Sequence, residues 1–213
     1  LPFQYLNAAN IGVSWWSHDV GGNHGGIEDG ELYLRYVQFG VFSPILRFHG
    51  ARGPYYKKEP WLWDAKTESI ASNYLRLRHR LIPYLYTEAY NYTKTGTTLI
   101  QPFYYNYLWV YDDDLYRNQY YLGSQLLVCP ILTKRDNTMN RTIHRFYIPD
   151  GIWYDFITGK KFPGNKKYVS FYKEEDYPVF AHAGSIIPLY FSVSRIITAM
   201  SRQRSPSLKS ASM

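Results

Sequence analysis

One cysteine, Cys129, in a chain of 213 residues excludes an internal disulfide framework and a cysteine-based metal cluster. No apolar run approaches the roughly 20 residues that a membrane-spanning helix needs. The N-terminus carries no basic stretch leading into an apolar one, so no secretory leader is expected and the chain is expected in the cytoplasm. It opens at Leu1 rather than Met, as expected of a piece of something longer. Glycine-rich phosphate loops are missing as well. Gly21, Gly22, Gly25, Gly26 and Gly30 lack both the Gly-x-Gly-x-x-Gly spacing and the Gly-Lys-Ser/Thr ending, so no nucleotide cofactor is implied. His18, His24 and His49 do not form a closed ligand set, and no metal is expected. The apolar neighbours of Cys129, from Leu126 to Ile131, point to a buried structural thiol.

What is abundant is apolar and aromatic. Hydrophobic residues make up 46% and charged residues 19%, which gives material for a core and excludes a wholly disordered chain. Aromatic residues reach 19%, with 23 tyrosines and six tryptophans. Such side chains pair an apolar face with a polar edge and suit sugar rings, although tyrosine-rich sheets give the same composition. The net charge of +7 first suggests a polyanion partner. However, Arg195, Arg202, Arg204 and Lys209 supply four of the 24 basic residues inside 191–213, where there is no acid. The other 20 stand against 17 acids, leaving only +3, so neither nucleic acid nor a membrane is an expected partner.

The chain divides near Gly96. Residues 1–96 read as mixed α/β. Short strands are expected at Asn10–Trp16 and Ile45–His49. Between them lies a helix that acidic Glu28, Asp29 and Glu31 introduce, with Leu32, Tyr36, Phe39 and Val37 on its inner face. A long helical pattern follows from Thr67 to about Tyr92, marked by Ile70, Tyr74, Leu77, Leu81, Leu85 and Ala89, which Pro83 should kink or divide. Strand–helix–strand–helix at this spacing is the pattern of parallel βα units. Residues 97–190 change to short β segments punctuated by Pro149-Asp150-Gly151, Thr158-Gly159 and Pro163-Gly164-Asn165, the pattern of a β-sandwich. Strands are expected at 98–105, 125–131, 141–148, 153–155, 168–171, 179–181 and 185–189. The basic stretch 191–213 shows little periodicity and is expected to be a disordered tail.

In a βα barrel, polar side chains at strand C-terminal ends line the active site. Asp19 and His49 follow successive candidate strands 30 positions apart, about one βα unit, so they and Arg47 would point to one mouth. The alternative is that Asp19 caps the glycine-rich loop and His49 is a turn residue.

Several blocks in order resemble glycoside hydrolase family 31, which includes α-glucosidases and α-xylosidases. They are Trp15–Gly22, Glu31–Pro44, Arg47 and His49, Glu59-Pro60-Trp61, Arg78–Tyr86, Gly123–Ile131, Pro149–Asp155 and Val179–Leu189. The resemblance implies the C-terminal portion of a (β/α)8 TIM barrel, its last two βα units, followed by an antiparallel β-sandwich. It implies an α-linked oligosaccharide or glycoside as ligand, with His49, Asp19, Arg47, Asn23 and Trp16 as substrate-binding residues. Asn23 stands where many members carry an aromatic residue. Retaining hydrolysis needs two carboxyl groups about 5–5.5 Å apart, one as nucleophile and one as acid/base. In the family both lie in segments that would precede Leu1, and neither the Asp-Met-Asn-Glu-type nor the Gly-Asp-Asn-type block occurs here. No catalytic residue is therefore expected in this chain, and it is expected to be inactive alone. Asp112-Asp113-Asp114 is expected to be a solvated turn, and Glu59 and Asp64 to rim the entrance. A carbohydrate-binding module using Trp153 on the sandwich surface is the competing reading.

Overall fold

The computed structural model describes residues 2–23, 28–50 and 57–190. His24, Gly25, Gly26 and the 191–213 tail lie outside the described residues. The first part is helical, with α1 (Pro2–Leu6), α2 (Gly30–Val41), α3 (Ala65–Arg80) and α4 (Ile82–Thr95). Asp29 caps α2 as its acidic approach foretold, its carboxylate accepting from the Leu32 amide at 3.0 Å. Asp64 caps α3 in the same way, accepting from the amides of Lys66 and Thr67 and from the Thr67 hydroxyl. Pro83 divides the long pattern as expected, but the break falls at Leu81, because proline is accommodated in the first turn of α4.

The two strands expected before and after α2 are barely present. Asn10–Trp16 forms no strand, its start being taken up by the 3-10 turn Asn7–Ile11, and the one parallel bridge to the second segment, Val20 with Phe48, falls four residues beyond it. Among the described residues the Val20–Phe48 bridge has no further strand beside it, and an isolated parallel pair is too weak to hold a long ladder. The face of α2 also differs from expectation. Leu32 is 55% exposed, while Tyr33, Leu34, Val37, Phe39 and Val41 are buried, because α3 covers the 33/34/37/41 side.

Eight strands follow: β1 (Ile100–Pro102), β2 (Tyr120–Leu122), β3 (Leu126–Val128), β4 (Thr142–Ile148), β5 (Ile152–Asp155), β6 (Lys161–Pro163), β7 (Lys166–Tyr172) and β8 (Val179–His182). One antiparallel sheet has the order β1-β2-β3-β8-β5-β6, and β4 pairs with β7 in a second. β2 and β6 were not anticipated. The strand expected at 98–105 ends at Pro102 and turns into a 3-10 helix, and 185–189 forms no strand.

The large sheet has two covered faces, and alternation along its strands allots the side chains. Leu127 and Phe180 face β4 and β7, joining Trp153, Phe162, Phe146, Ile148 and Tyr172 in the sandwich core. Their neighbours Leu126, Val128, Tyr120, Leu122 and Val179 point the other way and pack with Val37, Phe42, Tyr84 and Leu85 of the helical part. Cys129 is fully buried in the sandwich core, as its neighbours suggested, and burial pushes its thiol well above the usual value. The structure is thus three layers: helices, six strands, two strands.

Candidate functional site

The single parallel bridge sets the geometry of the site. The Val20 amide donates to the Arg47 carbonyl at 3.1 Å, so Asp19 and Arg47 come side by side. Arg47 Nη2 lies 2.6 Å from Asp19 Oδ1, with the guanidinium largely in solvent and the carboxylate partly covered. Gly21 and Gly22 follow with φ of +86° and +78°, a left-handed pair that glycine adopts without strain, and the Gly22 amide closes the turn on the Asp19 carbonyl at 2.9 Å. This turn carries exposed Asn23 to the other segment. A Cβ added to Gly50 would sit 3.0 Å from the Asn23 carbonyl oxygen, so Asn23 lies beside the residue that follows His49.

His49 is exposed and borders a cavity of about 600 Å³ with Lys58, Glu59, Trp61 and Arg76. Neither Asp19 nor Arg47 lines that cavity. Trp16 is not brought to the mouth. It is 8% exposed, stacks on Tyr5 at 4.7 Å between ring centres, and its indole N–H has no partner among the described residues. Next to it His18 is buried among Tyr5, Trp16, Tyr36 and Phe39, and burial lowers its pKa to about 4 despite Asp19 nearby. No group of three metal-type side chains comes together among the described residues. No described helix is long and apolar enough to cross a membrane.

Lys58 was missed by the sequence reading, although it stands immediately before Glu59-Pro60-Trp61. Its ammonium donates to the carbonyls of Gly21 (2.7 Å) and Gly22, while its own carbonyl accepts from the Tyr33 hydroxyl at 2.9 Å. Burial pulls its pKa below the ordinary lysine value, against the opposing pull of Asp19. Trp153, the anchor proposed for a surface module, is buried in the sandwich core and donates its indole N–H to Asp150. Asp113 accepts from the Leu115 amide and Asp114 pairs with Arg117, which makes 112–114 the expected turn.

The structure brings Asp19 and Arg47 together as an ion pair, while His49 borders the neighbouring cavity. Residues 2–88 match the Glycosyl hydrolases family 31 TIM-barrel domain, and residues 96–187 match the Glycosyl hydrolase family 31 C-terminal domain. The chain belongs to glycoside hydrolase family 31. Two curated members illustrate the likeness. An "Alpha-xylosidase" of Saccharolobus solfataricus is 32% identical over 86% of this chain and 25% of its own length. "Alpha-glucosidase 2" of Bacillus thermoamyloliquefaciens is 33% identical, over 86% of this chain and 22% of its own. Among solved structures, a mutant GH31 dextranase of Flavobacterium johnsoniae complexed with isomaltotriose superposes with a TM-score of 0.76. It has 31% identity and covers 86% of this chain and 22% of that one. A GH31 alpha-xylosidase from a soil metagenome complexed with xylose gives 0.73 at 28% identity, covering 85% and 29%. The family 31 chain described here thus spans about a quarter of the length of these relatives. Its 2–88 portion is the part that matches the barrel.

Proposed function

We infer that this chain is the sugar-recognising C-terminal portion of a retaining α-glycosidase, with an α-linked glucoside or xyloside as ligand. The observation that carries the reading is the Asp19–Arg47 ion pair beside the Val20–Phe48 bridge, with His49 one residue further on. Two adjacent strand ends thereby present hydroxyl-binding groups at the end of a barrel where such groups bind substrate. Asp19 accepts hydrogen bonds from sugar hydroxyls, Arg47 holds the carboxylate in place, and His49 donates or accepts at a neighbouring hydroxyl. Asn23 lies beside the same turn. Trp16, behind the mouth, supports Tyr5 and the His18 ring rather than stacking on a sugar.

The double-displacement step needs a nucleophile and an acid/base. Asp19 is paired with Arg47, which leaves it as a recognition group rather than a nucleophile. The expected behaviour is saccharide binding without turnover. Titration with glucose, xylose and isomaltotriose followed by amide NMR should shift residues 19–23 and 47–50. Asp19→Asn or His49→Ala should each weaken binding by about tenfold, the scale of one charge-assisted hydrogen bond. Release of nitrophenol from a nitrophenyl α-glucoside should stay at the buffer rate. Turnover by the purified chain, or unchanged binding by both variants, would overturn the reading. Trp153, the anchor of the binding-module alternative, is buried and cannot present its face to a sugar.

A further inference from the structure

The geometry points to Lys58 as the positioning residue that ties the two lips of the sugar mouth together. This rests on reading Asp19, Asn23 and His49 as sugar-binding groups. One lip is the turn Asp19–Asn23, the other the segment Arg47–Gly50. Backbone pairing between them is limited to Val20 and Phe48, which lie at the base. Beyond that point Asn23 lies beside Gly50, and a side chain runs between the lips. The Lys58 stem runs between Gly21 and Gly50: a Cβ on Gly21 would stand 3.3 Å from Lys58 Cδ, and one on Gly50 would stand 2.6 Å from Lys58 Cε. The ammonium then donates to both Gly21 and Gly22 carbonyls.

The chemistry of the turn explains why a lysine serves there. Two successive left-handed glycines leave two carbonyls without strand partners. A tetrahedral ammonium can donate to both and retain a third proton. The lysine is itself anchored, because the Tyr33 hydroxyl donates to its carbonyl and Tyr33 stacks on Trp63 at 4.6 Å and on Phe48 at 6.2 Å. Tyr33 belongs to α2, so Lys58 links that helix to the turn and to the His49 segment at once. A side chain at position 50 would push the lysine stem from its place. Together with the Asp19–Arg47 ion pair, this amine sets the spacing of the hydroxyl-binding groups on the two lips.

Hydrogen exchange and saccharide binding on the whole chain test this together. In Lys58→Met the amides of Val20 and Gly22 should exchange about tenfold faster, with the thermal midpoint and the exchange of the sandwich strands unchanged. Isomaltotriose affinity should fall by about tenfold in the same variant, as for loss of one charged hydrogen bond. Lys58→Arg, which keeps donors for both carbonyls, should recover much of both effects. Unchanged exchange at Val20 and Gly22, or a uniform rise across the chain, would overturn the role of Lys58. So would isomaltotriose binding equal to that of the unmodified chain. If the unmodified chain fails to bind any of the three sugars, the functional reading falls, and with it the sugar role of Lys58. The exchange result then stands apart, showing which of the two ideas failed.

Discussion

His18 sits 1% exposed against the rings of Tyr5, Trp16, Tyr36 and Phe39, and its pKa is lowered to about 4. His144 of β4, whose Nε2 donates to the Cys129 carbonyl at 3.0 Å, is lowered to about 4 as well, again chiefly by burial. Both are neutral in the folded chain and charge more readily once unfolded. Between about pH 6.5 and pH 4 the unfolded state therefore binds more protons, and stability falls as pH falls through that window. The stability is fully present above the unfolded value near 6.5. For His18 alone the loss amounts to roughly 3 kcal/mol at the bottom of the window. Urea midpoints should drop from pH 7 to pH 4.5, and His18→Phe should flatten part of that slope. A slope unchanged in His18→Phe would show that the ring is not neutral because of its burial. The two histidines were visible in the sequence, but their protonation was not, because it depends on partners brought from elsewhere in the chain, the rings of α1 and α2 for His18 and Tyr172 of β7 for His144.

At the level of helices and strands, what could be read depended on whether the signal was local. The cap of α2 at Asp29 and the division near Pro83 follow from adjacent residues, and both were legible. The second cap, Asp64, was not read as a cap, because an acid before a helix and an acid at a mouth look alike. Asp64→Ala should cost about 1 kcal/mol, the usual worth of an N-cap, read as a lower denaturant midpoint with unchanged m-value. Strands β2 and β6 are three residues each and carry no alternation long enough to detect. The strands flanking α2 were expected on good local grounds and are reduced to a bridge, since a ladder needs neighbours that local sequence does not supply. The site was legible in the same uneven way. Asp19 with Arg47 followed from strand ends. Trp16 went to the core, and Lys58 was overlooked because its partners are carbonyls, which no residue pattern reports.

Across the whole molecule the helical part and the sheets are joined by more than the connection at Gly96. Arg35 of α2 is buried and donates to the carbonyls of Lys173 and Asp176 and to Gln38 Oε1, and Gln38 donates to the Glu174 carbonyl. The Glu174 carboxylate in turn meets Lys66 and Arg135 at 2.5 Å each. From the other end, Tyr84 of α4 donates to the Leu122 carbonyl at 2.6 Å, and Glu88 accepts from Ser124. One core draws on both parts. Heat should therefore melt the chain in one calorimetric transition whose van't Hoff and measured enthalpies agree. Two separated peaks would mean that the shared core is not cooperative. Transplanting the eight strands alone into another protein would strip Tyr120, Leu122, Val128 and Val179 of their cover, leaving half of the large sheet wetted by solvent. The helices would fare no better, for the same side chains are the floor on which they rest.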